Sequence, residues 1–384
     1  MSESKTIDGI DFSEPTPGGL LPPRAFTSPV VYERDLERIF ERSWVHVADT
    51  TSLAKPGDFV AAKIGRTPVV VMRAEDGEIR TFLNACRHRG ALLASGEGNC
   101  GRSLNCPYHA WAYGPDGRCL GIPERDEFTC DPADMGLIPV RTAVAAPLVF
   151  ACLDAEAPSF EQWAPELEQV LADSRGDEAE FLFELTYDVN VNWKVYVENG
   201  LDGYHVPFVH DMLDEFVETK SAYQHFGEHG SYTHAFIKPE FVEMSPPTPH
   251  LTREGRMFTW FGHAFPNLIP VVSPLDISYL RIDPTGPETI RLVSRAFSCE
   301  PNEEIVAMLR ESFERTNAQD IGAVELVQQG VHARGLPAGQ HAAFLESRIG
   351  HFEQMVRRAL VGDPATKLAR PGSLTLDAAL RAVA

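Results

Sequence analysis

Two short segments that each combine a cysteine with a histidine constrain this chain most strongly. Cys86 and His88 stand in the segment CRH, and Cys106 and His109 stand a short distance later in the segment CPYH. Gly90 leaves room for the backbone close to the first pair. The chain is therefore predicted to present two loops that leave hairpins of a sheet, each with one thiol and one imidazole.

Thiolates and neutral imidazoles are metal ligands, and this set suits two different centres. In one type of two-iron, two-sulfur cluster, two thiolates hold one iron and two imidazoles hold the other, which raises the reduction potential above that of an all-thiolate cluster. A structural zinc ion also accepts two cysteines and two histidines, but usually as a cysteine pair and a histidine pair. The mixed pairs favour the iron-sulfur cluster, and a zinc site is the alternative.

A second group of candidate ligands lies near the middle of the chain. A helix over 196–205 would place Glu198, Asp202 and His205 on one face. Pro207 disfavours helix at the residue before it, so His210 is expected to project from the segment after a break. Two histidines that converge beside a carboxylate provide ligands suited to a ferrous ion.

Asp320 is a candidate third ligand because it interrupts an apolar stripe. Burying an unpaired carboxylate costs several kcal/mol, so an acid on a buried stripe needs a cation, either a metal ion or an arginine. Rotation of the helix towards solvent is the remaining alternative. The stripe, at helical spacing, consists of Ile305, Leu309, Phe313, Thr316, Asp320, Val324 and Val327.

The apolar patterns indicate different folds in the two parts of the chain. Segments rich in β-branched residues predict antiparallel sheet up to about residue 155. After it, residues 181–191 and 289–297 are typical of strands, and residues 302–330 and 342–360 are typical of helices. The expected fold class is α+β, with an antiparallel β domain followed by an α+β domain whose antiparallel sheet is flanked by helices.

The chain has 384 residues, which is long enough for two domains. We expect an N-terminal arm and helix in residues 1–41 that pack on the second domain. Residues 42–155 are expected to form the cysteine- and histidine-containing domain, and residues 156–384 the α+β domain.

Composition excludes several classes of partner. The formal net charge of −21 disfavours nucleic acid and anionic membranes, which need clustered basic residues. The start of the chain lacks the basic and apolar regions of a signal peptide, and no apolar run is long enough to span a bilayer, so a cytoplasmic location is expected. The odd count of seven cysteines disfavours a secreted disulfide framework.

The two ligand segments, CRHRGALL and CPYHAWAY, resemble the ligand loops of the Rieske domain in ring-hydroxylating and related oxygenases. Ala110 replaces the commoner glycine after the last ligand, which we interpret as a matter of packing. The resemblance implies a Rieske domain with one 2Fe-2S cluster. Its ligands would be Cys86, His88, Cys106 and His109.

The segment ENGLDGYH resembles the catalytic domain of the same family, the aromatic-ring-hydroxylating oxygenase large (alpha) subunits. The resemblance implies one mononuclear non-haem Fe(II) held by His205, His210 and Asp320. It also implies that Asp202 links His109 of one subunit to His205 of the next, within at least a trimer. Asn199 matches a residue near the iron with a supporting or gating role.

The family resemblance implies a terminal oxygenase that uses O2 and electrons from a separate NAD(P)H-dependent reductase or ferredoxin. Mono- or cis-dihydroxylation of a small aromatic substrate is the favoured reaction, with a role in aromatic hydrocarbon catabolism. The alternatives are N- or O-demethylation or hydroxylation of a non-aromatic amine, and a Rieske electron-transfer protein without oxygenase activity. Phe208, Val209, Leu213, Phe216 and residues 257–273 could line an apolar pocket or belong to the core.

Overall fold

The computed structural model describes residues 5–13, 20–210, 217–244 and 255–362. Contacts within the chain divide it into two compact units: Leu36–Gln162 forms one, and Met1–Asp35 together with Trp163–Ala384 forms the other. Each contains a seven-stranded antiparallel sheet, and long helices occur in the second, which confirms the α+β fold class. The three expected domain limits stay a prediction.

The described helices and strands have these bounds. The helices are α1 (Pro29–Arg38), α2 (Phe160–Trp163), α3 (Pro165–Asp173), α4 (Trp193–Leu201), α5 (Val206–Val209), α6 (Pro239–Met244), α7 (Glu303–Gly330) and α8 (Ser347–Val361). The strands are β1 (Thr6–Ile7), β2 (Ile10–Asp11), β3 (Val45–Asp49), β4 (Asp58–Ile64), β5 (Thr67–Arg73), β6 (Ile79–Leu83), β7 (Glu97–Asn99), β8 (Leu104–Asn105), β9 (Ala112–Tyr113), β10 (Cys119–Gly121), β11 (Pro139–Ala145), β12 (Leu148–Cys152), β13 (Glu180–Val189), β14 (Val217–Phe226), β15 (Gly230–Ile237), β16 (Phe258–Ala264), β17 (Leu268–Val272), β18 (Ile277–Gly286) and β19 (Thr289–Ser298).

The unit Leu36–Gln162 consists of two antiparallel sheets. The larger has the strand order β3-β12-β11-β6-β5-β4-β7, and the smaller has the order β10-β9-β8. The loop between β6 and β7 contains Cys86 and His88, and the loop between β8 and β9 contains Cys106 and His109. Val70, Met72, Phe82 and Trp111 belong to one buried apolar cluster that also includes both cysteines, so the candidate ligand loops rest on the core.

The second unit is built on the sheet β13-β19-β18-β17-β16-β15-β14, whose neighbouring strands are all antiparallel. The first half of α7 packs its apolar stripe on the start of β13, where the rings of Phe313 and Phe183 are 5.5 Å apart. On α8, Phe352 contacts His263 of β16, with ring centroids 5.4 Å apart. The ring of Trp193 in α4 lies 5.7 Å from the ring of Phe352, so α4 and α8 pack against each other.

The helix expected over 196–205 is wrong in its limits. α4 begins at Trp193 and ends at Leu201, and Asp202 has an extended backbone. The Asp202 carboxylate accepts a hydrogen bond from the Tyr204 amide at 2.5 Å, which competes with a further helical turn. The expectation that Pro207 disfavours helix at Val206 is also wrong, because α5 begins at Val206. Pro207 lies in the first turn of α5, where its missing N–H would have had no helical partner.

No helix within the described ranges combines the length and the apolar character that a membrane span requires. This finding agrees with the charge distribution of the sequence, which has charged residues throughout its long helices.

Candidate functional site

The two cysteine- and histidine-containing loops share one backbone design. The amide of Gly90 donates to the Cys86 carbonyl at 2.8 Å, and the amide of Ala110 donates to the Cys106 carbonyl at 3.0 Å. Gly90 has a φ of 73° and Ala110 a φ of 57°. The interpretation of Ala110 as a matter of packing is therefore wrong: the position requires a left-handed backbone, which glycine adopts with less strain than alanine.

Four side chains from these loops are arranged as two sulfurs and two nitrogens. Cys86 and Cys106 are buried, whereas His88 is half-buried and His109 is exposed, and the Nδ1 atoms of the two histidines are 3.2 Å apart. Burial raises the pKa of the Cys106 thiol, but amide hydrogen bonds from His109 and Tyr108 outweigh it and lower that pKa. Buried sulfurs with amide donors and outward imidazoles fit a cluster with one iron on each side.

Tyr113 is a neighbour of this site that the sequence analysis missed. Its hydroxyl lies 3.3 Å from the Cys86 sulfur and accepts the amide of Arg87 at 3.0 Å. Burial, and then the hydrogen bond with Cys86, raises the pKa of Tyr113, so the hydroxyl keeps its proton and can donate it to the sulfur. The two aromatic residues Trp111 and Tyr113, two positions apart directly after the second ligand pair, were the available signal. Trp111 stacks on His88 with ring centroids 5.2 Å apart.

The second predicted constellation comes together in the other unit. Among the residues that the structure describes, His205, His210 and Asp320 form a group in which one ligand atom from each lies within 4.8 Å of the others. The two Nε2 atoms are 3.2 Å apart, and Asp320 Oδ1 is 3.1 Å from His210 Nε2 and 3.5 Å from His205 Nε2. Two nitrogens and one carboxylate oxygen therefore converge on one point.

Neighbouring side chains orient the two imidazoles. Asp202 Oδ2 lies 3.1 Å from Nδ1 of His205, and Gln319 Oε1 lies 3.0 Å from Nδ1 of His210. Each acceptor favours the tautomer with the proton on Nδ1, which leaves the Nε2 lone pairs free to face Asp320. This donor set fits an iron ion. The sequence analysis had assigned no role to Gln319.

The pKa shifts of Asp320 and its neighbours indicate that the Asp320 carboxylate requires a cation beside it. Burial alone would raise the pKa of Asp320, but hydrogen bonds with His205 and His210 lower it to about 2. Burial alone would lower the pKa of His205, but Asp202 and Asp320 raise it to about 9. In the protein without metal, protonated imidazole replaces the cation beside Asp320.

Asp320 lies on the buried face of α7, as the apolar stripe predicted. The last residue of the predicted stripe is not on that face. Asp320 and Val324 are buried, whereas Val327 is half-exposed and Gln328 takes the buried position. Gln328 accepts the amide of Asn192 at 2.9 Å, and Asn192 caps the start of α4. α7 is thereby tied to the helix that precedes both histidines.

The end of α4 approaches both the sheet and the metal-binding group. A hydrogen bond joins Asn199 to the carboxylate of Asp320. At the next residue, a Cβ on Gly200 would lie 2.2 Å from Cδ1 of Ile269 in β17, so only glycine fits without movement.

The candidate pocket residues are less informative: Phe208 is 76% exposed, Val209 is part-buried, and most of 257–273 is buried in β16 and β17. Leu213 and Phe216 lie outside the described residues.

Comparison with protein families identifies both units. Residues 43–141 match the Rieske [2Fe-2S] domain, and residues 177–362 match the ring hydroxylating alpha subunit (catalytic domain). The first match includes both cysteine- and histidine-containing loops, which favours the iron-sulfur cluster over zinc. The second match includes His205, His210 and Asp320.

Three curated relatives differ in how much of the chain they match. Choline monooxygenase of Spinacia oleracea is 25% identical over 87% of this chain and 77% of its own length. The carnitine monooxygenase oxygenase subunit of Escherichia coli (strain K12) is 27% identical over 90% and 94%. The biphenyl 2,3-dioxygenase subunit alpha of Rhodococcus jostii is 40% identical, but over only 38% of this chain and 33% of its own.

A solved structure shows the same fold. It is a quaternary ammonium Rieske monooxygenase, described for carnitine oxidation and inter-subunit electron transfer, with a TM-score of 0.77 and 23% identity over 88% of this chain and 94% of its own. The two matched domains, the arrangement of the loops and the converging histidine and aspartate side chains lead to one conclusion. The chain belongs to the Rieske-type non-haem iron oxygenases, a family of oxidoreductases with one 2Fe-2S cluster and one mononuclear iron.

Proposed function

We propose that this chain is the oxygenase component of a monooxygenase that acts on a quaternary ammonium compound or a related non-aromatic amine. The reaction would be hydroxylation, or N-demethylation through hydroxylation. The observation that carries the proposal is the share of the chain that its relatives match: the carnitine and choline monooxygenases match through both domains. The expected role in aromatic hydrocarbon catabolism is not supported.

The metal ligands are proposed residue by residue. Cys86, Cys106, His88 and His109 would hold the 2Fe-2S cluster, and His205, His210 and Asp320 would hold the mononuclear iron. The iron, when bound, supplies open coordination positions for O2. The protein residues keep it there: Gln319 fixes the ring of His210, and Asn199 donates to Asp320 and so limits its rotation.

Asp202 is proposed to connect the two metal centres across subunits. Its carboxylate lies 3.1 Å from Nδ1 of His205, and it is part-exposed, so a second partner can reach it. In the proposal, His109 of a neighbouring subunit is that partner, which requires a cyclic assembly such as a trimer. His109 is exposed, as such docking needs. Electrons would come from a separate NAD(P)H-dependent reductase, with or without a ferredoxin.

Charge supports a cationic substrate. The chain has a net charge of −21, which raises the local concentration of cations and lowers that of anions. Glu346 lies near the metal-binding group. Burial raises the pKa of its carboxyl, and the nearby Asp202 carboxylate raises it further. An aromatic acid would be repelled by these groups, whereas a quaternary amine would be attracted.

Two alternatives have weaker support. The segment ENGLDGYH favours an aromatic substrate, as does the biphenyl dioxygenase match, but that match covers little of the chain. An electron-transfer protein would not need the convergence of His205, His210 and Asp320. A cytoplasmic location remains a prediction.

A substrate comparison under single-turnover conditions tests the proposal without the unknown reductase. Protein purified without air should contain about three iron ions and two sulfide ions per chain, from one cluster and one mononuclear iron. Reduced with dithionite and mixed with O2, it should convert carnitine, γ-butyrobetaine or choline to an oxygenated product. Asp320→Ala is the control, and we expect it to keep the cluster absorbance but lose the mononuclear iron and the product.

Other results would select other functions. Product from biphenyl or naphthalene but not from the amines would transfer the assignment to aromatic substrates. Two irons per chain and no product from any compound would favour electron transfer, and zinc without sulfide would contradict both metal assignments.

A further inference from the structure

Buried ionisable side chains form a continuous array between α4 and its neighbours. Lys194 of α4 forms an ion pair with Asp35 of α1. One helical turn later on α4, the carboxyl group of Glu198 is hydrogen-bonded to the carboxyl group of Glu353 of α8. Asp35, Lys194 and Glu353 are at most 1% exposed. The metal-ligand assignments above use none of these four side chains.

A hydrogen bond between two carboxyl groups requires a proton. Oε1 of Glu198 and Oε2 of Glu353 are both inaccessible to solvent, and no N–H or O–H group of the protein donates to either. The second oxygen of Glu353 accepts the amide of Leu21 at 2.7 Å, so this carboxyl is suited to be the anion. Two neighbouring carboxyl groups in a buried site do not both ionise at neutral pH, and one shared proton would satisfy both oxygens.

The charges of the array also indicate that the glutamate pair holds one proton. Its cations are Lys194 and Arg357, and its acids are Asp35, Glu198 and Glu353. With one proton on the glutamate pair, these five side chains carry two positive and two negative charges; without it, they carry one further negative charge, whose burial has a substantial cost. Burial raises the pKa of Glu353 to about 8, although the Leu21 amide and Arg357 lower it. Burial and Glu353 raise the pKa of Glu198 well above its usual range, as does Glu346 more weakly, while Lys194 lowers it.

The pair lies beside the candidate iron site. Residues 193–197 of α4 are all buried, whereas Glu198 and Asn199 are partly exposed, as are Asp202 and His205. Glu346 connects the two places, because it is close enough to act electrostatically on Glu198 and also interacts with Asp202 and His205. Because Asn199, the next residue, is hydrogen-bonded to the proposed ligand Asp320, Glu198 is close to where O2 would react.

We propose that Glu198 and Glu353 store one shared proton and that Glu198 donates it to the oxygenase reaction at the neighbouring site. Monooxygenation consumes the substrate C–H group, O2, two electrons and two protons, and gives C–OH and water. The O–O bond breaks, one oxygen enters the C–H bond, and the other leaves as water. The reductase supplies the electrons. Glu198 would supply one of the two protons to the departing oxygen and regain it from solvent. This inference rests on the oxygenase reaction proposed above, not on the choice of substrate.

Infrared spectroscopy of the complete metal-loaded protein tests the stored proton without substrate or reductase. A protonated carboxyl group gives a carbonyl stretching band that carboxylates lack, and the band shifts in D2O. We expect such a band at neutral pH, and we expect Glu198→Gln and Glu353→Gln each to remove it. In either variant, the amide N–H2 of glutamine replaces the shared proton, and the array keeps two cations and two anions, so both should fold.

The kinetic consequence is measured on the same variants with a substrate that the wild-type protein oxidises. A lost general acid costs roughly a hundredfold, so we expect a comparable fall in product formation, and more O2 consumed per product. Substrate binding, iron content and the cluster spectrum should not change. Because Glu353→Gln keeps the Glu198 side chain but removes the carboxyl group that shares its proton, the loss in this variant depends on the shared proton and not on the Glu198 side chain alone.

Asp276→Asn is the matched control, since Asp276 is also a buried carboxyl but lies in the turn between β17 and β18, hydrogen-bonded to Ser273. It should leave both the pair-dependent band and turnover unchanged. The proposal is overturned if the band survives in both glutamine variants, if it disappears in Asp276→Asn, or if both glutamine variants turn over at wild-type rate. A wild-type protein that has the band but oxidises no amine would contradict the proposed substrate class and leave the stored proton established.

Discussion

Ala110 shows how one residue can strain a ligand loop. It occupies the turn after the proposed last cluster ligand with a φ of 57°, where the equivalent turn of the other loop has Gly90 at 73°. An L-residue in the left-handed region costs roughly 1 to 2 kcal/mol. Glycine avoids this strain, but part of the gain is lost because an unfolded chain with glycine has more conformational entropy. We therefore expect Ala110→Gly to stabilise this domain by up to about 1 kcal/mol.

Gly90→Ala is the reciprocal variant and should destabilise the same domain by about 1 kcal/mol or more. No heavy atom lies within 4 Å of a Cβ placed on Gly90, so backbone strain alone would act. Both variants can be followed by thermal loss of the visible cluster absorbance. Changes of the same sign in the two variants would contradict this account of the turn.

At the scale of the element, the position of α4 depends on a close approach to the sheet. A Cβ on Gly200 would lie 2.2 Å from Cδ1 of Ile269, so Gly200→Ala must displace that side chain or the helix. Overpacking of this kind costs about 1 to 3 kcal/mol. Because Asn199 directly precedes Gly200 and Asp202 lies two residues after it, we also expect weaker retention of the mononuclear iron during gel filtration.

Gly322→Ala in α7 is the matched control for Gly200→Ala. Gly322 is an exposed helical glycine, and a Cβ placed on it would meet no neighbouring atom within 4 Å, so helix propensity should stabilise the protein by up to about 1 kcal/mol. Urea unfolding of the two variants gives the comparison. Equal stabilisation by both substitutions would show that α4 has room to move away from β17.

The elements also show what the sequence could predict. Periodicity predicted α7, and an acid on its apolar stripe predicted that Asp320 would be buried, because both signals are local. The end of α4 was not predicted, because the Asp202 carboxylate satisfies the Tyr204 amide and replaces a helical turn. Glu198 and Glu353 meet only through the packing of α4 on α8, which no local pattern records.

At the scale of the whole molecule, stability against acid depends on which groups change their protonation on unfolding. His263 of β16 is fully buried, and burial lowers its pKa to about 3, although a hydrogen bond to the Pro266 carbonyl raises it. The folded protein therefore keeps His263 neutral where the unfolded chain, with a pKa of about 6.5, binds a proton. Its contribution to stability is complete above about pH 6.5 and falls as the pH decreases towards 3.

The buried carboxyl groups have the opposite effect, since burial raises the pKa of Asp276 and of the pair Glu198 and Glu353, and folding then favours a protonated Asp276 and one proton on the pair. A titration of the wild-type protein alone would mix these effects, so a variant must isolate His263. We expect the stability advantage of the wild type over His263→Gln to fall by about 1 kcal/mol in the first pH unit below 6.5 and by about 1.4 kcal/mol in each further unit. Urea unfolding by tryptophan fluorescence at several pH values measures it, and a difference that does not depend on pH would show that His263 is protonated in the folded protein.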